Sequence, residues 1–121
     1  MERVEREDLH TRKVLEPLGW ILQLLTGLLL AILITFHFFE THLISHEGLA
    51  FENVLLRLAD PAHKAMYVLL LAAVSFHAFN GLRAILLDTE YGAKNTKAIN
   101  VVICLIILGA FVYGLWILSN F

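Results

Sequence analysis

Three stretches of this chain are long and apolar enough to cross a lipid bilayer, and nothing else in it restricts the fold as much. A helical span needs about 20 predominantly apolar residues. The stretches run from about Leu18 to Leu43, from His63 to Leu87 and from Ala98 to Leu118. In hydrocarbon every backbone N–H and C=O must be satisfied within its own segment, so helices are the expected form. The chain has 121 residues, 59% of them hydrophobic, which is too apolar for a soluble fold of this size. The expected fold is all-α: one membrane domain, residues 1–121, with three transmembrane helices.

Local signals set the limits of these helices. Pro17 suits the first turn of the first helix, and Asp60-Pro61 reads as a cap and proline start for the second. Tyr91-Gly92 is expected to break the chain before the third. Trp20, Tyr113 and Trp116 sit where aromatic residues favour the headgroup zone. Between the first two spans, "FENVLLRLA" has apolar residues at helical spacing. That pattern fits a short helix lying on the membrane surface, and a solvated loop fits equally well.

Charge is crowded into residues 1–16, 47–64 and 83–97, so the net charge of −2 says little about partners. Nothing in the pattern points to nucleic acid. Arg3, Arg6, Arg12 and Lys13 precede the first span, and Arg83, Lys94 and Lys97 lie between the second and third. The first loop has only Arg57 and Lys64, beside Glu47, Glu52 and Asp60. Basic residues favour the cytoplasmic side, which places the N-terminus and the second loop there. The first loop and the C-terminus then face outside, in a multi-pass protein of the inner or cytoplasmic membrane. The N-terminal segment is as acidic as it is basic and reads as retained, not as a cleaved signal. Cys104 is the single cysteine, can form no internal disulfide, lacks the spacing of a thiolate metal site, and reads as a small packing residue.

Of the six histidines, His10, His42, His46 and His63 lie in polar or interfacial sequence and are expected to be exposed. His37 and His77 lie well inside spans, where ionisable residues are costly. Ala73, His77, Gly81, Ala84 and Asp88 follow one another in steps of four, four, three and four, which puts them on one helical face. That face carries one imidazole, small residues and a terminal carboxylate. A flat, bulky group would lie against Gly81 and Ala84 while His77 reached its centre. Haem iron is commonly held by a neutral imidazole in this way. A histidine hydrogen-bonded to a neighbouring helix fits the placement equally well.

His77, Gly81, Arg83 and Asp88 together form H-x3-G-x-R-x4-D at the cytoplasmic end of the second span. In this the chain resembles the membrane-anchor subunits of succinate dehydrogenase and fumarate reductase, the succinate:quinone oxidoreductases of respiratory complex II. The resemblance covers nearly the whole chain and implies His77 as an axial ligand of haem b. It implies Arg83 and Asp88 near the cytoplasmic surface, by the iron–sulfur subunit and the quinone pocket. There Arg83 either balances haem propionates or snorkels to headgroups, and Asp88 and Tyr91 either hydrogen-bond or protonate quinone or serve as interfacial capping and loop residues. Many family members carry H-R-x-[ST]-G in the first span. Here the stretch is Gln23-Leu24-Leu25-Thr26-Gly27, with Leu24 in place of the arginine, which shifts the expected quinone site toward a partner subunit.

His37 lies about 19 residues along the first helix, roughly 28 Å from its cytoplasmic end, and His77 lies roughly 15 Å deep. The two differ by about 13 Å along the membrane normal, too far to be opposite ligands of one iron. Each can serve one of two stacked haems whose sixth ligands come from another chain, which resembles the branch with two small anchor subunits and two haems b. An ordinary core histidine is the competing reading of His37.

The expected function is that of a haem-b-binding anchor, forming half of a haem-binding helical bundle. It would dock the flavoprotein and iron–sulfur subunits, pair with a second membrane-anchor subunit, and pass electrons to quinone within the membrane. Succinate oxidation itself, a step of the tricarboxylic acid cycle, is not expected here, because the chain has no flavin or iron–sulfur motif. Two other readings stand beside this one. The chain could be a haem-free structural anchor of the same complex, or an unrelated three-span protein whose buried histidines move protons.

Overall fold

The computed structural model describes the backbone of residues 2–44 and 46–121, together with the side chains of Arg3, Arg6 and residues 16–44 and 46–121. Helix α1 spans Glu2–Phe38 and ends in a π-helical turn, Phe39–Leu43. Then come α2 (Phe51–Ala59), α3 (Pro61–Leu87), the one-turn α4 (Glu90–Lys94) and α5 (Thr96–Leu118). Three helical stretches are long and apolar enough to span a membrane: Glu16–Leu43, Pro61–Leu87 and Thr96–Leu118. The protein is an all-α membrane protein, with no strand among the described residues.

Three local expectations resolve or change. Helix α1 does not start at Pro17; it runs from Glu2 straight through it. An interior proline loses its N–H and crowds the carbonyl four residues back, but the segment before it is rich in good helix formers, which outweighs that cost. The stretch "FENVLLRLA" is helical: Val54, Leu55 and Leu58 are half-buried, while Phe51 and Leu56 are exposed. Tyr91-Gly92 does not simply break the chain but lies inside α4, whose start is capped by Thr89 Oγ1 accepting the Gly92 N–H at 3.0 Å.

Gly92 has a steric reason to be there. A Cβ added to it would overlap the carbonyl oxygen of Leu86, a backbone atom that cannot swing aside. Gly92→Ala is therefore expected to destabilise the α3–α4 turn by about 1–3 kcal/mol, the usual range for an overpacked site. Gly109→Ala, which meets open space, is the control. Thermal unfolding of the purified complex checks it, with a lowered Tm for the first variant and an unchanged one for the second.

Helix α3 is the centre of the assembly, because α1 and α5 both pack on it rather than on each other. Its start is set by Asp60, whose side chain accepts the backbone N–H of His63 at 3.0 Å, with Pro61 in the first turn. Bonds from the His63 backbone and ring hold the Asp60 carboxyl below the usual carboxylate range. The ionised cap is thus kept at neutral pH and lost only as the pH falls through that lowered value. The open row of three helices buries few side chains, chiefly Leu30, Ala73 and Ile103. Leu24, Leu28 and Ile32 on α1 and Leu105, Leu108 and Val112 on α5 face outward, which costs nothing in lipid. Cys104 sits among them, exposed, at a groove formed with Ala72, Ser75 and Phe111.

Candidate functional site

His77 meets helix α1 at one turn of its surface. Its Nδ1 lies 3.2 Å from the backbone carbonyl oxygen of Gln23 and 3.3 Å from Thr26 Oγ1. A carbonyl oxygen can only accept, so Nδ1 carries the proton. The Thr26 hydroxyl donates its own proton to the Leu22 carbonyl at 2.7 Å, which leaves its oxygen free to accept from His77 as well. In the neutral ring this is the Nδ1–H tautomer. Nε2 keeps its lone pair and makes no hydrogen bond among the described residues. An imidazole with one nitrogen tied to a backbone acceptor can use the lone pair of the other as a hydrogen-bond acceptor or as a metal ligand.

Three more residues set the ring's place. Gly27 lies directly under it: a Cβ there would come within 3.0 Å of His77 Cε1. The Gln23 amide donates to the His77 carbonyl at 3.0 Å and accepts from Asn80 Nδ2 at 2.8 Å. Gly81 leaves room for that amide, since a Cβ there would stand 3.1 Å from Gln23 Nε2. Gln23 and Asn80 were given no role by the sequence. A signal was present, because Gln23, Thr26 and Gly27 belong to the family-like stretch of the first span, and all three touch His77 or its neighbours.

The remaining candidates are spread along the same end of α3. Ala84 is exposed, and Asp88 is an exposed residue at the C-terminal cap of α3. Tyr91 is 76% exposed, at the start of α4. Arg83 Nε donates to Asn100 Oδ1 at 2.6 Å, tying α3 to α5, and its other N–H groups make no hydrogen bond among the described residues. The structure brings His77 and Gly81 together against α1, and leaves Arg83, Asp88 and Tyr91 apart from them toward α4 and α5.

His37 lies ten residues beyond Gly27 on α1, about 15 Å further along the axis. Its ring stands edge-on to Tyr67, with centroids 5.7 Å apart. Its Nδ1 is buried and has no hydrogen-bond partner. Such an atom costs about 1–3 kcal/mol if it stays unpaired. The other histidines differ among themselves. His42 and His46 are exposed, and the side chain of His10 lies outside the described residues. His63 is not a plain interfacial histidine: it is half-buried, with Asp60 on one ring nitrogen and Glu40 on the other.

Residues 5–117, from the N-terminal helix to the end of α5, match the succinate dehydrogenase/fumarate reductase transmembrane subunit. The chain belongs to that family. It is 52% identical, over 117 residues, to the succinate dehydrogenase hydrophobic membrane anchor subunit of Archaeoglobus fulgidus, a match covering 97% of this chain and 98% of the relative. The subunit of the same name from Thermoplasma acidophilum is 27% identical over 93 residues, 76% of each chain. No solved structure matches it. In this membrane-anchor subunit, His77 and its cradle of Gln23, Thr26 and Gly27 form a polar site within the spans.

Proposed function

We propose that this anchor subunit binds haem b through His77 and, at a second level, through His37, and relays electrons to quinone. The observation that carries the reading is the tautomer of His77: Nδ1 is committed to α1, and Nε2 is left with an unused lone pair. The support for His37 is of a different kind: its buried Nδ1 has no hydrogen-bond partner, and a bound group would give the ring one. When bound, haem would supply reversible one-electron transfer. The chain's own part is to hold the imidazoles. Gly81 lets Gln23 approach and so fixes the backbone at His77, exposed Ala84 keeps the free side of α3 low, Arg83 offers its remaining N–H groups to a propionate, and a second anchor subunit completes each iron. Orientation follows the basic residues, with the N-terminus and α4 in the cytoplasm, where the iron–sulfur and flavoprotein subunits dock. Exposed Asp88 and Tyr91 at that end are the residues proposed to meet quinone. Leu24 faces outward and adds no polar contact, so the partner anchor completes that site.

An absorption spectrum of the purified membrane complex tests this. A Soret band with a bis-histidine signature is the expected result, and its absence leaves a haem-free structural anchor. The quinone assignment has its own check. Arg83→Leu and Asp88→Asn are expected to lower quinone reduction about a hundredfold or more while sparing succinate oxidation with an artificial acceptor, the order of loss for one acid–base group. A parallel fall in both activities would instead make the two residues docking contacts.

A further inference from the structure

The end of the bundle away from α4 carries polar side chains that the reading above does not use. His63 Nδ1 lies 2.7 Å from Asp60 Oδ2, and His63 Nε2 lies 2.5 Å from Glu40 Oε1, on the π-helical turn that ends α1. Side-chain exposure falls along this line from 45% at Asp60 to 31% at His63 and 16% at Glu40. The far oxygen of Glu40, Oε2, is buried without a hydrogen-bond partner, as is Nε of Arg57. Tyr67, edge-on to His37, has its hydroxyl in the field of both Arg57 and Glu40. The trio thus leads from water to a buried carboxylate that faces the chain's interior.

Each of the two short contacts needs a proton in its gap, because a carboxylate oxygen and a bare ring nitrogen are both acceptors. A neutral imidazole supplies one proton, so the trio holds one more. Asp60 Oδ2 also accepts the His63 backbone N–H, which keeps that carboxylate the ionised end. The mobile proton is therefore the one between His63 and Glu40.

We propose that Asp60, His63 and Glu40 form a proton-transfer site that carries protons between the outer water and the buried side of Glu40. In the inward step the Nε2–H bond of the imidazolium breaks and an O–H bond forms at Glu40 Oε1. The ring is left neutral, with Nδ1–H against Asp60 and the bare Nε2 facing the new Glu40 O–H; once Glu40 releases its proton from the buried Oε2 side, Nε2 is the free acceptor and forms a new N–H bond with a proton from outer water. One proton leaves water, one arrives on Glu40, and no electrons move. The other titratable or charged groups of the surrounding elements are His37 and His42 from α1 and its π turn, Glu52 and Arg57 from α2, and Lys64 and Tyr67 from α3; at this end α5 has only the exposed Tyr113. The proton site lies at the opposite end of α3 from the residues proposed to meet quinone, and it rests on neither the haem nor the quinone reading.

Infrared spectroscopy of the whole complex in lipid nanodiscs, with a pH jump, tests it directly. Wild type is expected to show a carboxylic-acid C=O band that appears on acidification and is lost in Glu40→Gln. His63→Leu is expected to keep that band but slow its appearance after the jump at least about tenfold, as removal of a proton-transfer group does. His63→Gln, which can still bridge the two carboxylates, serves if the leucine variant does not assemble, and the same slowing is expected of it. A Glu40 that stays ionised throughout, or that protonates as fast without the imidazole, would overturn the proposal and leave a clamp between α1 and α3. Haem content is read separately on the same samples. A complex without haem would sink the haem reading and leave this result standing.

Discussion

Replacing His77 with alanine is expected to remove one haem per complex, the one nearer α4, while all three spans remain inserted. The ring's Nδ1 is pinned by the Gln23 carbonyl and Thr26, and among the described residues no other histidine lies at that level of the bundle. Alanine is the best helix former and leaves no polar group behind, so α3 itself should persist. Pyridine haemochrome of the purified complex reads the loss directly. Two milder variants separate ligation from packing. Thr26→Val keeps the shape but deletes one acceptor while the Gln23 carbonyl remains, so haem should stay bound with a shifted midpoint potential, the usual consequence of altering a ligand's hydrogen bond. Gly27→Ala brings a methyl to within 3.0 Å of His77 Cε1 and must displace the ring by a few tenths of an ångström, so it should lower haem content partway. Full haem content in His77→Ala would make His77 a helix-packing histidine.

The spans were legible in the sequence because hydrocarbon leaves the backbone no alternative to helix. The all-α membrane fold follows from that one constraint, and the structure agrees with it. The start of α1 was not legible: proline prefers a first turn, but that preference is weaker than the helix propensity of the fifteen residues from Glu2 to Glu16 before it. The nine residues of α2 were ambiguous, since two turns of apolar spacing suit a surface helix and a loop alike. At the site, spacing alone could place His77, Gly81, Ala84 and Asp88 on one face of α3, but not that the first two meet α1 while the last two stay exposed. The partners of that face could not be read. Gln23 and His77 are 54 residues apart, and His63 and Glu40 are 23 apart, so their contacts depend on how two helices are rotated against each other. Periodicity within one helix says nothing about that rotation. The surviving Thr26-Gly27 pair was the one visible trace of it.

The His37→Ala variant separates a one-haem subunit from a two-haem one. His77 lies against Gly27, and His37 is ten residues beyond it, about 15 Å along α1, so the two imidazoles cannot share an iron. If both are ligands, redox titration of wild type should show two components of different midpoint potential. The surroundings differ: His77 has a carbonyl and a hydroxyl on its ring nitrogen, whereas His37 has Tyr67 edge-on and no hydrogen bond at Nδ1. His37→Ala should then delete one component and leave the other unmoved. Stability reads the same question with the opposite sign. An unpartnered buried Nδ1 destabilises by about 1–3 kcal/mol, so if His37 binds no iron, His37→Leu should raise the Tm of the complex by filling the site without a polar atom. If His37 is a ligand, the same variant should lower the Tm, because it forfeits a metal bond that only the folded chain can make. A single redox component in wild type together with a more stable leucine variant would make His37 an ordinary core histidine.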